Sequence, residues 1–219
     1  MRSASDPAIW DAYADWYGSQ ERRERRALIA ALRLAAPGAQ DTVVDLATGT
    51  GAVLHLLEHS DPRPAVAVGV DRSAEMLARV GALPAGWSTR LADARDVPLP
   101  GGVADVVTCS YLLHLLAPET RSAVLAEARR LLRPGLTARL VVVTVWADRR
   151  RLGGRTVHRG LQTLARARPA AWGGLAPLDP TDDLRASGFL PDRRVVLPRG
   201  GYPSLVVRAH LPAREGRRP

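Results

Sequence analysis

The chain has 219 residues, 46% of them apolar and 24% charged, the balance of one soluble globular domain long enough for a sizeable core. No run approaches the ~18 apolar residues of a membrane span, and Met1 to Trp10 lack an apolar signal core, so a cytoplasmic protein is expected. The net charge of +9 rests on arginine alone, which excludes a G-x-x-x-x-G-K-[ST] phosphate loop and any Schiff-base lysine.

The missing lysine and asparagine fit GC-rich coding as well as they fit an anion-binding surface, so the charge total by itself does not identify a partner. Cys109 stands alone, which rules out an internal disulfide or a cysteine-rich metal site; its apolar surroundings predict buried packing.

In chain order, Asp6-Pro7 reads as an N-cap and first helical residue, opening a short helix through Trp16. Gly18-Ser19 break it, and a second helix over 20–36 places Ala27, Leu28, Ala31, Leu32 and Ala35 on one face. Residues 1–40 thus form a helical cover ahead of the first strand. Strands are predicted at 42–46, 65–70, 87–91, 104–109 and 138–146, and helices at 52–59, 73–81 and 118–133. Near-continuous apolar strands alternating with helices predict a doubly wound, mostly parallel α/β sheet covered on both faces.

Residues 147–178 belong to no strand-helix unit and carry seven arginines against one acid, Asp148; they read as a lid insertion. A short helix at 181–187 precedes two strand-like runs, Arg193 to Leu197 and Ser204 to His210. The connection between them, Pro198 to Pro203, is too short for a parallel crossover, so this pair is an antiparallel hairpin. The domain is expected to end near residue 211, with 212–219 a disordered tail.

The chain is organised around Val43-Val44-Asp45-Leu46-Ala47-Thr48-Gly49-Thr50-Gly51. A buried strand delivers its carboxyl end to a turn without bulky side chains, and a helix starts at once. The turn's N–H groups and the helix N-terminus then face a crevice that admits a nucleotide-like ligand.

At these residues the chain resembles the class I S-adenosylmethionine-dependent methyltransferases of the small-molecule type, over 40–146 by motif and through the terminal hairpin by topology. The family's acid followed by Gly-x-Gly-x-Gly is matched by Asp45, Thr48, Gly49, Thr50 and Gly51. Ala47 replaces the first glycine, and an alanine fits there with a negative φ. Asp71, followed by Arg72 and Met76, stands where the family binds the ribose hydroxyls. Asp93 and Ala94 follow the third strand, where the resemblance implies contacts from a carboxylate and a backbone N–H to adenine. Ser110 ends the fourth strand beside the position of the methionine moiety, and His114 follows as the candidate base or acceptor contact. Tyr13 and Tyr17 fall in the segment that folds over the cofactor in relatives. The resemblance implies a Rossmann-like seven-stranded sheet, S-adenosylmethionine as cofactor, and methyl transfer to an O, N or C atom of a small molecule.

A nicotinamide oxidoreductase is the rival, but Leu54 occupies the third glycine position of G-x-G-x-x-G and opposes close helix–strand packing there. A protein of this fold with other chemistry, and an RNA methyltransferase, are further alternatives. Nucleic acid is disfavoured because the aromatic residues cluster near the N-terminus instead of interleaving with the arginines. His55-Leu56-Leu57-Glu58-His59 matches the H-x-x-E-H zinc pattern but lies on the helix after the cofactor turn, so no metal is expected. The arginine-rich insertion admits an anionic substrate, with His158 a minor candidate; the protein is expected to be a monomer or homodimer without a membrane partner.

Overall fold

The computed structural model describes residues 17–135, 137–146, 177–198 and 203–213. The first expected helix, Tyr13, the expected lid up to residue 176 and the tail beyond 213 lie outside the described residues.

The elements, in order, are α1 (Tyr17–Ala35), β1 (Thr42–Leu46), α2 (Ala52–Glu58), β2 (Val66–Asp71), α3 (Ala74–Leu77), β3 (Ser88–Leu91) and β4 (Val106–Ser110). A 3₁₀ turn (Leu113–Leu115), α4 (Pro118–Leu131), β5 (Arg139–Val145), α5 (Thr181–Ala186), β6 (Leu190–Leu197) and β7 (Ser204–His210) complete the described chain. The seven strands form one sheet in the order β3-β2-β1-β4-β5-β7-β6, with β7 alone antiparallel to its neighbours. The expected doubly wound sheet with a closing hairpin is therefore the observed architecture. No helix among the described residues is long and apolar enough to cross a membrane.

Alternation along β1 divides the core. Val43 joins Ala67, Val106 and Val141 beneath α1 and α2, where Ala27, Leu28, Ala31, Val53, Leu54 and Leu57 are buried. Val44 and Leu46 join Val107 and Val142 on the other face, beneath Val124, Leu125, Ala128 and Leu131 of α4 and Leu184 of α5. The segment expected as a cover over the first strand is thus, in its described part, a layer against β5 and β7.

Three elements differ from their predicted spans, the first being α1, which begins at Tyr17 and runs through Gly18 and Ser19 where a break was expected. Helix α3 ends at Leu77 because the N–H groups of Arg79 and Val80 bond three residues back, to Met76 and Leu77, and Gly81 (φ 74°) turns the chain away. Strand β6 starts at Leu190 and takes in Pro191, with a register shift before Arg193. An edge strand can absorb a residue without an N–H in this way, through a bulge.

Candidate cofactor site

Parallel registry brings the functional candidates to the carboxyl edge. Asp45 pairs with Gly69 on one side and Thr108 on the other. Its carboxylate is sealed at 1% exposure, and Oδ1 accepts from the Thr108 hydroxyl at 2.6 Å. Burial pushes the Asp45 pKa up to about 6; the Thr108 bond opposes this, and the neighbouring Asp71 adds to it. Oδ2 has no hydrogen-bond partner: the Thr48 hydroxyl lies close enough to lower the pKa without reaching bonding geometry.

The loop after β1 closes tightly over this acid. The Thr48 N–H donates to Val70 O at 2.9 Å and the Gly51 N–H to Thr48 O at 2.9 Å. Gly51 has φ 82°, and a Cβ there would meet Val80 Cγ1 at 2.9 Å, so only glycine serves. Ala47 differs from the expectation of a negative φ: it adopts φ 58°, the left-handed conformation that a glycine takes without strain. The close helix–strand contact that Leu54 was expected to oppose is provided from the strand side. A Cβ on Gly69 would lie 2.9 Å from Leu54 Cδ1 and from the Thr48 side chain, so the strand's glycine admits the helix's leucine.

Asp71, at the end of β2, turns its carboxylate toward the loop. Oδ2 accepts from the Gly49 N–H at 2.8 Å and Oδ1 from the Ser73 N–H at 3.0 Å. Burial raises its pKa, and these backbone donors hold it back. Ser73 in turn caps α3 by accepting from the Met76 N–H at 3.1 Å. The Arg72 N–H is a third backbone donor to the Asp71 carboxylate, which leaves about one acceptor position, suited to a ribose hydroxyl.

Asp93 lies in the loop after β3, and the Arg95 side chain beside it holds its carboxyl below the usual carboxylate range. A crevice of about 220 Å³ runs between the two acids, lined by Ala47, Asp71, Arg72, Asp93, Ala94 and Arg95 on one side and Leu112, Leu116, Thr120 and Val124 on the other. The Nε of Arg72 is buried there without a partner.

Five of the predicted residues therefore line one crevice: Ala47, Asp71, Arg72, Asp93 and Ala94. Asp45, Thr48, Gly49, Gly51, Met76, Ser110 and His114 do not line it. Asp45 thus stands behind the loop instead of sharing the crevice wall with the other two carboxylates. Met76 is buried at 2% exposure. The Ser110 Oγ and His114 Nδ1 are buried without hydrogen-bond partners. Burial alone lowers the His114 pKa to about 3, so its imidazole is neutral at any physiological pH. Tyr17 opens α1, and its side chain lies outside the described residues.

On the helix behind the loop, His55 Nε2 contacts Val80 O at 2.9 Å and His59 Nδ1 contacts His55 O at 2.8 Å, so each ring has a nitrogen tied to a backbone carbonyl. No group of three or more metal-ligating side chains occurs among the described residues.

Sequence reasoning missed Tyr111, which holds φ 57° at the end of β4 and shares a 2.8 Å hydrogen bond between its hydroxyl and Ser204 Oγ, joining β4 to the start of β7. It also missed the clamp under the crevice loop. Glu127 Oε1 accepts from the Val97 N–H at 2.7 Å, and Arg130 donates to Leu99 O at 2.8 Å. A buried glutamate in an otherwise apolar helix face was the available signal for it.

Residues 43–135 match the family model described as a methyltransferase domain, and the chain has the class I S-adenosylmethionine-dependent methyltransferase fold. The ubiquinone/menaquinone biosynthesis C-methyltransferase UbiE of Desulfotalea psychrophila is 38% identical over 118 residues, 53% of this chain and 46% of that relative. The chain thus spans about half the length of this curated relative. Among solved structures, a chain from the complex of the Haloferax volcanii Trm112 methyltransferase activator with a methyltransferase is 19% identical, with a TM-score of 0.72 over 97% of this chain and 99% of its own. Magnesium protoporphyrin IX methyltransferase from Synechocystis, solved with S-adenosylhomocysteine bound, is 21% identical, with a TM-score of 0.61 over 85% and 82% of the two chains.

Proposed function

We propose that this chain transfers the methyl group of S-adenosylmethionine to a small-molecule acceptor in the crevice at the carboxyl ends of β1, β2 and β4. The observation that carries the reading is the convergence of Asp71, Asp93 and Ala94 on one cavity that Ala47, at the start of the loop after β1, also lines. The donor set suits the ligand. Asp71 has acceptor capacity left for a ribose hydroxyl, and Asp93 and the Ala94 backbone suit the base edge.

Bound there, the cofactor supplies an electrophilic methyl group on a sulfonium. The protein's own part is positioning and a polar wall that tolerates charge dispersal. His114 stays neutral and is buried outside the crevice lining, which makes it a weak proton acceptor. An electron-rich ring carbon needs no stronger base to attack the methyl group, and the C–H proton it sheds afterwards passes to water. The relationship to a quinone-pathway C-methyltransferase supports that class of acceptor. The arginines of 147–176 lie outside the described residues and support an anionic acceptor by composition only.

The test is calorimetry of the whole chain with S-adenosylhomocysteine, followed by mass spectrometry of methylated products from a panel of hydroquinones, small acids and bulk tRNA. Micromolar binding and a methylated small molecule are expected. Binding of NADH with refusal of S-adenosylhomocysteine would restore the oxidoreductase reading; methylated tRNA would transfer the activity to nucleic acid.

A further inference from the structure

We infer that Arg95 is a positioning residue that makes Asp93 selective for a 6-amino purine over a 6-oxo purine. The inference rests on the proposed adenosyl site and adds a determinant to it that no motif specifies.

The geometry is a saturated fork. Arg95 Nε donates to Asp93 Oδ1 at 2.9 Å and Nη2 donates to Oδ2 at 2.8 Å, while the Arg95 backbone N–H also donates to Oδ1 at 2.9 Å. A carboxylate offers about four acceptor positions, two on each oxygen. Three are taken, so Oδ1 is full and one position remains, on Oδ2. The planar guanidinium also fixes the plane of the carboxylate, which a point charge would not.

The fork stands on a loop fixed at both ends. The Asp96 N–H donates to Asp93 O at 3.0 Å, and Val97 is bonded to Glu127 of α4. Arg95 itself is half exposed (51%), so the pair adds little to stability, and removing it leaves the fold in place. What it does is restrict a half-buried carboxylate to one orientation on the crevice wall.

A single fixed acceptor reads the base edge by sign. An adenine amino group donates to the remaining Oδ2 position, whereas a hypoxanthine carbonyl sets its own lone pair against it. An unpinned carboxylate rotates away from that repulsion or admits a water, and the contrast shrinks.

The experiment is calorimetry of wild type, Arg95→Ala and Arg95→Lys with S-adenosylhomocysteine and S-inosylhomocysteine. Wild type should prefer the adenosyl ligand by about 100-fold, as a charged acceptor meeting or lacking its donor implies. Arg95→Ala should cut that preference to about tenfold, through stronger inosyl binding and a few-fold loss of adenosyl binding together, with an unchanged unfolding midpoint. Arg95→Lys should fall between, since an ammonium cannot fork. An undiminished preference in Arg95→Ala, or tighter adenosyl binding that would make Arg95 a plug, overturns the inference alone. Failure of wild type to bind either ligand overturns the site reading and the inference together.

Discussion

The β1 and β3 ends of the candidate site use the same side chain under opposite conditions. Asp45 is shut away at 1% exposure, has one charged oxygen without a partner, and is pushed toward protonation by burial. Asp93 is a third exposed, saturated by an arginine fork, and held ionised by it. Asp71 lies between, with burial raising its pKa and three backbone N–H groups opposing that rise. One end therefore stores a folding cost in a desolvated carboxylate; the other spends nothing and gains orientation. A ligand in the crevice meets the open end and Asp71, whereas the sealed end lies behind the loop.

The largest expected effect comes from neutralising the sealed end. An Asp45 pKa of about 6 against 3.8 in the unfolded chain means that the folded state holds its proton longer. Stability from this group is therefore full below pH 3.8, falls as pH rises toward 6, and is flat above it, a loss of about 3 kcal/mol. His114, buried neutral with a pKa of about 3, pulls the opposite way across an overlapping interval, so the informative comparison is variant against wild type at each pH. Asp45→Asn should match wild type near pH 4 and exceed it by about 3 kcal/mol at pH 8, read by urea unfolding. Equal stabilities at pH 8 would mean that the carboxylate is not desolvated and that the two ends are alike.

The middle and open ends should separate by binding. Asp71→Ala removes a carboxylate that orders the Gly49 and Ser73 N–H groups as well as any ligand contact, and should cost about 2–3 kcal/mol of S-adenosylhomocysteine affinity. Asp93→Ala removes a half-exposed acceptor already shared with Arg95, and about 1–1.5 kcal/mol is expected. Calorimetry that reverses this order would show that the open end, not the buried one, dominates recognition.

How much of this was legible in the sequence follows from the range over which each signal acts. The apolar run Val43 to Leu46 with its bare turn, the acids at strand ends and the short link before β7 are local patterns, and they led to the mostly parallel sheet and its closing hairpin, but not to the order of the strands. The Thr108–Asp45 bond was not legible because it spans 63 positions and depends on β4 lying beside β1; a lone threonine in an apolar strand was its only trace. The Arg95 fork lacked any periodic signature, since residues two apart in a loop meet only when the turn is already formed. Leu54 was read as an obstacle from helix geometry alone, whereas its partner Gly69 lies on a strand reached only through the fold.

The smallest expected effect concerns the loop that joins the two ends. Ala47 pays for its left-handed φ of 58° with about 1–2 kcal/mol, because Cβ crowds the following carbonyl. A glycine there removes that strain but gives the unfolded chain more freedom, which takes back about 0.4–1 kcal/mol. Ala47→Gly should therefore stabilise by roughly 0.5–1 kcal/mol and raise the melting temperature by about 1–4 °C. The same change should leave S-adenosylhomocysteine affinity nearly unaltered, because the methyl group removed carries no polar contact. Destabilisation by glycine would mean that the alanine methyl, which lines the crevice, contributes packing that outweighs its strain.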